Sequence, residues 1–126
     1  MSDYFQLQTA ELVEKKVKQL FAPKDWPEVW AILKSVQNSS AMSTTRIELA
    51  MLKVSNGSLE KLRGALKLAE RDPRDIIVGA EYLYQMKCRP KKNQKWSEEA
   101  HRQAVEKDRQ QYLNWLRDES SNEYSI

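Results

Sequence analysis

The sequence predicts an all-α protein of about six helices, arranged as stacked antiparallel helical hairpins in a bundle or a short α-solenoid-like array. Glycine and proline are scarce: the 126 residues hold three and four of them, where average usage of ~12% would give about 15. An all-β fold needs such residues at its turns, so the scarcity argues against strands. Apolar residues recur at i, i+3, i+4 and i+7 through most of the chain, the period of an amphipathic helix. Caps and stops punctuate that period. They leave connections of about two to eight residues, which set successive helices antiparallel as neighbours.

Residues 1–8 read as a loose lead-in. Thr9 is placed to cap a first helix of about 10–22, with Val13, Val17, Leu20 and Phe21 at helical spacing. Pro23 stops it, lacking the N–H that a continuing helix needs. Asp25-Trp26-Pro27-Glu28 reads as the next start, with Asp25 as cap and Glu28 reaching back. That helix runs to about Gln37 with Val29, Ile32, Leu33 and Val36 inward, and Asn38-Ser39-Ser40 forms a loop.

Thr45-x-x-Glu48 matches the capping-box spacing for a third helix, whose stripe is Ile47, Met51, Leu52 and Val54. Asn56-Gly57 ends it, because Gly57 tolerates the left-handed conformation common at helix C-termini. Ser58 caps a fourth helix striped by Leu59, Leu62, Leu66 and Ala69. Asp72-Pro73-Arg74-Asp75 stops that helix and starts a fifth, with Asp72 as cap and Asp75 complementing the helix dipole. Ile76-Ile77-Val78 is also strand-like. Ile76, Ile77, Ala80, Leu83 and Tyr84 nevertheless keep the 3.6-residue period, so the segment is read as one helix ended by Pro90. Ser97 caps a last helix of about 98–118. Its first half offers only Ala100, Ala104 and Val105 as apolar residues and reads as solvated; its second half, with Tyr112, Leu113, Trp115 and Leu116, reads as packed. Length and pattern fit a single helical domain over 9–118, followed by a frayed tail over 119–126.

Residues 45–73 resemble a tetratricopeptide unit: a helix, Gly57, a helix, Ala69, then Asp72-Pro73. The match covers under a quarter of the chain. Leu62 stands where that family takes a small residue, and the first helix lacks its Trp and Tyr. No second copy follows in register, so the resemblance implies a helical hairpin and no more.

Catalytic chemistry finds little support. Cys88 is the one cysteine and His101 the one histidine. A single cysteine builds neither an intrachain disulfide nor a Cys-based zinc site. Glu98-x-x-His101 sets a carboxylate and an imidazole on one helical face, but di-metal bundles need two such pairs and two further glutamates. A solvated or ion-paired histidine is the simpler account. Cys88 lies between Lys87 and Arg89, which favours a thiolate, yet no base is near and a helix C-terminus acts against it. Gly57, Gly64 and Gly79 are isolated, so no phosphate-binding loop is present. The acidic cluster Glu70, Asp72 and Asp75 is explained by capping. The expectation is a protein that is not an enzyme and uses no cofactor and no metal. Trp26 and Trp30, one turn apart, read as core packing with Trp26 nearer the surface; an aromatic ridge for a partner is the other reading.

Charge is more informative. Residues 84–96 contain Lys87, Arg89, Lys91, Lys92 and Lys95 and no acid. With those five set aside from the 21 bases, the rest of the chain has fewer bases than its 18 acids. The positive excess therefore sits in one stretch, flanked by Tyr82, Tyr84 and Trp96. A local positive field attracts acidic protein surfaces or phosphate backbones, while lysines in a solvated loop need no partner at all. The expected role is a protein–protein interaction or adaptor module. Its contact residues are Lys87, Arg89, Lys91, Lys92, Lys95 and Trp96, with the solvated start of the last helix beside them, and its partner is an acidic protein surface. Nucleic acid is the alternative ligand for the same residues, and a second copy of the chain could cover any leftover apolar face. The start of the chain carries no secretory pattern and no apolar run approaches the ~20 residues of a membrane span. A cytoplasmic protein without membrane contact is expected.

Overall fold

A computed structural model describes residues 8–36, 43–87, 90 and 95–118. The described residues are all-α. Seven α-helices lie among them: α1 (Ala10–Leu20), α2 (Trp26–Lys34), α3 (Thr44–Ser55), α4 (Leu59–Arg71), α5 (Pro73–Glu81), α6 (Leu83–Lys87) and α7 (Glu98–Arg117). Of the expected lead-in over 1–8 all but Gln8, together with the Asn38-Ser39-Ser40 loop and the tail over 119–126, lies outside the described residues.

Helix α3 is the centre of the packing. Ile47, Leu49, Ala50, Met51 and Leu52 are all buried, so its apolar surface runs most of the way round rather than along one stripe. It packs against α1, α4 and α5, while α2 lies on α4. One hairpin, α1–α2, therefore stacks on the next, α3–α4, as the short connections predict. Val13, Val17, Phe21, Val29, Leu33, Leu62, Ile76 and Tyr112 close the core. Trp26 and Trp30 pack half-buried against it. The Trp26 indole N–H donates to the Phe21 carbonyl at 2.8 Å, which fixes the entry to α2.

Most starts follow the local caps. The side chains of Thr9, Ser58, Asp72 and Ser97 accept N–H groups of Leu12, Lys61, Arg74 and Ala100. Two starts differ from expectation. Pro23–Asp25 forms a 3-10 turn running straight into α2, and the Asp25 side chain makes no capping bond. Asp25 already has helical dihedrals, φ −95° and ψ −12°, whereas a capping residue needs an extended backbone to bring its carboxylate over the first turn. Glu28 is engaged elsewhere, accepting from Arg63 at 2.6 Å. The cap of α3 is Ser43 rather than Thr45. Glu48 turns inward, is buried, and pairs with Lys34 at 3.5 Å. Burial raises the Glu48 pKa and Lys34 opposes the rise.

The third difference is the largest. The expected single helix up to Pro90 breaks at Tyr82, which adopts φ −116° and ψ 38°. Asp108 of α7 is buried against the break, and its two carboxylate oxygens accept the N–H groups of Tyr84 and Gln85 at 2.6 and 2.9 Å. These are second and third positions of α6, the donors that an N-cap side chain usually serves. Gln111, one turn further along α7, donates to the Ala80 carbonyl at 3.2 Å. Beside it, buried Glu81 accepts two hydrogen bonds from Arg46 of α3, both 2.8 Å. Hydrogen bonding to Glu81 holds the Arg46 pKa above its ordinary value. Burial pushes the Lys53 ammonium down, while Asp108 and Glu81 pull it back up.

The far end of α7 is tied to α1. Lys16 is 1% exposed. Its ammonium donates to the carbonyls of Trp115 and Asp118 and lies 4.5 Å from the Trp115 ring centre. A cation at a helix C-terminus meets carbonyls that lack helical partners.

Candidate interaction face

Helix α6 carries the sequence Leu-Tyr-Gln-Met-Lys and contains no buried residue. It is held by the Asp108 carboxylate and by packing along α7. Among the described residues, the exposed large apolar side chains are Leu83, Tyr84, Met86 and Val105, with Met86 the most open at 52%. All four lie on α6 or the first half of α7. That half of α7 is otherwise open to solvent, with Ala104 its buried member and Asp108 buried just beyond it.

The residues named from sequence fall as follows. Lys87 ends α6 and is exposed, and Lys95 is exposed immediately before Trp96. Arg89, Lys91 and Lys92, and with them Cys88, lie outside the described residues. Trp96 is half-buried rather than free-standing. Its ring meets His101 edge-on, with centroids 5.1 Å apart and planes at 61°. With Ser97 as the cap, these residues hold the two positions of a hydrophobic staple, which fixes the angle at which the chain enters a helix. His101 thus has a structural partner at the entry to α7. Among the described residues, no three His, Cys, Asp or Glu side chains converge as a metal site.

Trp96 also walls a cleft of about 150 Å³, together with Ala100, Gln103, Ala104 and Lys107. Ala100 and Ala104 are one turn apart, so small side chains at successive turns leave the space open. Lys107 belongs to this wall and also places its ammonium 5.9 Å from the Tyr84 ring centre on α6. It links the cleft to the exposed apolar side chains, yet the sequence reading did not single it out. Leu83 and Met86 are likewise outside the contact region expected from sequence, whereas Ala100 and Ala104 fall within it as part of the solvated start of the last helix. The sequence signal for them is an apolar pair beside and within a strongly basic stretch, Leu83 and Met86, and alanines where a packed helix would carry larger groups.

No model of a protein family matches this chain, and no curated protein or solved structure matches it. No helix among the described residues is long and apolar enough to cross a membrane.

Proposed function

We propose that this chain is a non-enzymatic protein–protein interaction module whose contact face is α6 with the first half of α7. The supporting observation is the grouping of Leu83, Tyr84, Met86 and Val105 on that one helix pair. Single exposed apolar residues scattered over a surface are ordinary, whereas a group with a polar rim marks a contact site. Lys87, Lys95 and Lys107 supply the rim among the described residues. Rim charges chiefly set the rate and specificity of encounter, and the apolar centre supplies most of the hold. The partner offers an acidic surface, and a cytoplasmic setting suits a chain with one cysteine.

The test compares capture by the immobilised full chain with capture by the Leu83→Glu/Met86→Glu variant. Both side chains are exposed, so circular dichroism and the melting temperature stay at the wild-type values. Proteins retained by the wild type and released by the variant are the expected result; identical capture overturns the proposal. The nucleic-acid reading draws on the same bases with Tyr84 and Trp96 as stacking faces. It requires retention of a single-stranded oligonucleotide that falls steeply with salt. No retention at low salt removes it.

A further inference from the structure

The chemistry of the partner can be narrowed at the cleft beside Trp96, on the basis of the interaction reading above. Trp96, Ala100 and Ala104 line it with Gln103 and Lys107, in a space of about 150 Å³ that accepts one aliphatic side chain. One cation lines it and a second adjoins a lining residue in the chain. Lys107 stands in the wall, and Lys95 directly precedes Trp96. Arg102 and Arg109 of α7 are already engaged, with Glu99 and Glu106, both at 3.2 Å. Lys95 and Lys107 form no ion pair among the described residues.

The geometry points to a short acidic segment of a partner protein as the occupant. One aliphatic side chain fills the Trp96–Ala100–Ala104 cleft, and carboxylates on either side of it pair with Lys95 and Lys107. The helical part of the chain between the two lysines, from Glu98 to Lys107, rises roughly 14 Å, a span that an extended segment covers in about four to five residues. A peptide fits better than a nucleic acid. Base stacking needs an open aromatic face, and Trp96 is half-buried against His101. Glu98, in the first turn of α7, sets the sign of a control: its neutralisation removes a repulsion and tightens binding.

The probe is a synthetic peptide with a central leucine, a serine on each side and two aspartates at each end. It is titrated into the isotope-labelled full chain, and the Trp96 indole N–H and the Ala100 and Ala104 amides are followed by NMR. Saturable shifts at these three sites are expected. Affinity falls about tenfold when glycine replaces the peptide's leucine, and about tenfold in Lys95→Glu/Lys107→Glu. Ala100→Leu changes an exposed position, leaves the fold intact, and abolishes the Trp96 shift by filling the cleft. Equal binding of the glycine peptide, equal binding of an all-asparagine peptide, or no shift at millimolar peptide overturns the inference. Tighter binding of a single-stranded oligonucleotide at Trp96 also overturns it, as does a dimer in sedimentation that Ala100→Leu breaks. Should the peptide fail while Leu83→Glu/Met86→Glu still releases captured proteins, this inference falls and the interaction reading stands. Should that variant capture what the wild type captures, the interaction reading itself falls.

Discussion

Asp108 and Gln111 stand three residues apart on α7 and hold the two sides of one break. The Asp108 carboxylate takes the N–H groups that open α6, at 2.6 and 2.9 Å, and the Gln111 amide donates to the Ala80 carbonyl near the end of α5, at 3.2 Å. A helix break without proline or glycine leaves unpaired donors on one side and unpaired acceptors on the other. Here a carboxylate answers the donors and an amide answers the acceptors, both from one neighbouring helix. This arrangement turns α6 onto α7 and brings Leu83, Tyr84 and Met86 to the surface.

Asp108→Ala is therefore expected to lower stability by about 2 kcal/mol, the loss of a cap together with charge-assisted hydrogen bonds. The diagnostic effect is local. Amide exchange at Tyr84 and Gln85 accelerates more than at α3 or α4, because α6 buries no side chain that would otherwise hold it. Hydrogen exchange followed residue by residue measures this. Unchanged exchange at those two amides would show that packing alone holds α6.

Arg46 and Glu81 form the second polar contact at the break. Glu81 is 1% exposed and accepts both of its hydrogen bonds from the Arg46 guanidinium at 2.8 Å. Arg46→Met strands a buried carboxylate and is expected to cost about 3–5 kcal/mol. Adding Glu81→Met to it removes the stranded charge and recovers most of the loss. A double-mutant cycle by urea denaturation reads both numbers. Additive costs would mean that the two side chains do not act as a pair.

These contacts also mark where sequence reasoning stops. Thr9, Ser58, Asp72 and Ser97 each cap a helix through an N–H two or three residues away, so local spacing was enough to find them. Asp108 meets Tyr84 across 24 residues, and Arg46 meets Glu81 across 35. Nothing at Tyr82 itself announces a break, so the apolar period carried the predicted helix straight through it. A trace was available, since Glu81 follows Ile77 and Ala80 on the inward face, and Asp108 lies one turn from both Ala104 and Tyr112. An acid on an apolar stripe signals a buried partner without naming it. The candidate face was legible in part. Charge counting found the stretch containing Lys87, Lys95 and Trp96, but Lys107 joined it only through the turn of α6 onto α7.

Two glycines should respond to alanine with opposite signs. Gly57 has φ +86°, and a Cβ there would sit 2.8 Å from the Leu20 carbonyl oxygen, where the α3–α4 turn passes the end of α1. Gly57→Ala meets both backbone strain and a collision with backbone, and is expected to cost at least about 1–2 kcal/mol. Gly64 lies within α4 with nothing within 4 Å of an added Cβ. Gly64→Ala is expected to stabilise by about 0.5–1 kcal/mol through helix propensity and a less flexible unfolded chain. Thermal melts of the two variants decide it, and a destabilising Gly64→Ala would contradict the open α4 surface.

Lys16 gives the chain a predicted pH dependence on the alkaline side. Burial lowers its pKa from 10.5 to about 8, with Asp118 opposing and Lys15 reinforcing the fall. Below pH 8 the ammonium is charged in both states, and the cost of burying it stands in full. Between about pH 8 and pH 10.5 the folded chain releases the proton first, so the unfolded chain binds more protons and stability rises with pH. The steepest rise is about 1.4 kcal/mol per pH unit, and the whole effect is on the order of 3 kcal/mol. Lys16→Met lacks this contribution. The difference in urea unfolding free energy between wild type and Lys16→Met should therefore grow in favour of the wild type from about pH 8 upward, while groups common to both chains cancel. Parallel pH profiles for the two chains would place the Lys16 ammonium in water rather than between the Trp115 and Asp118 carbonyls.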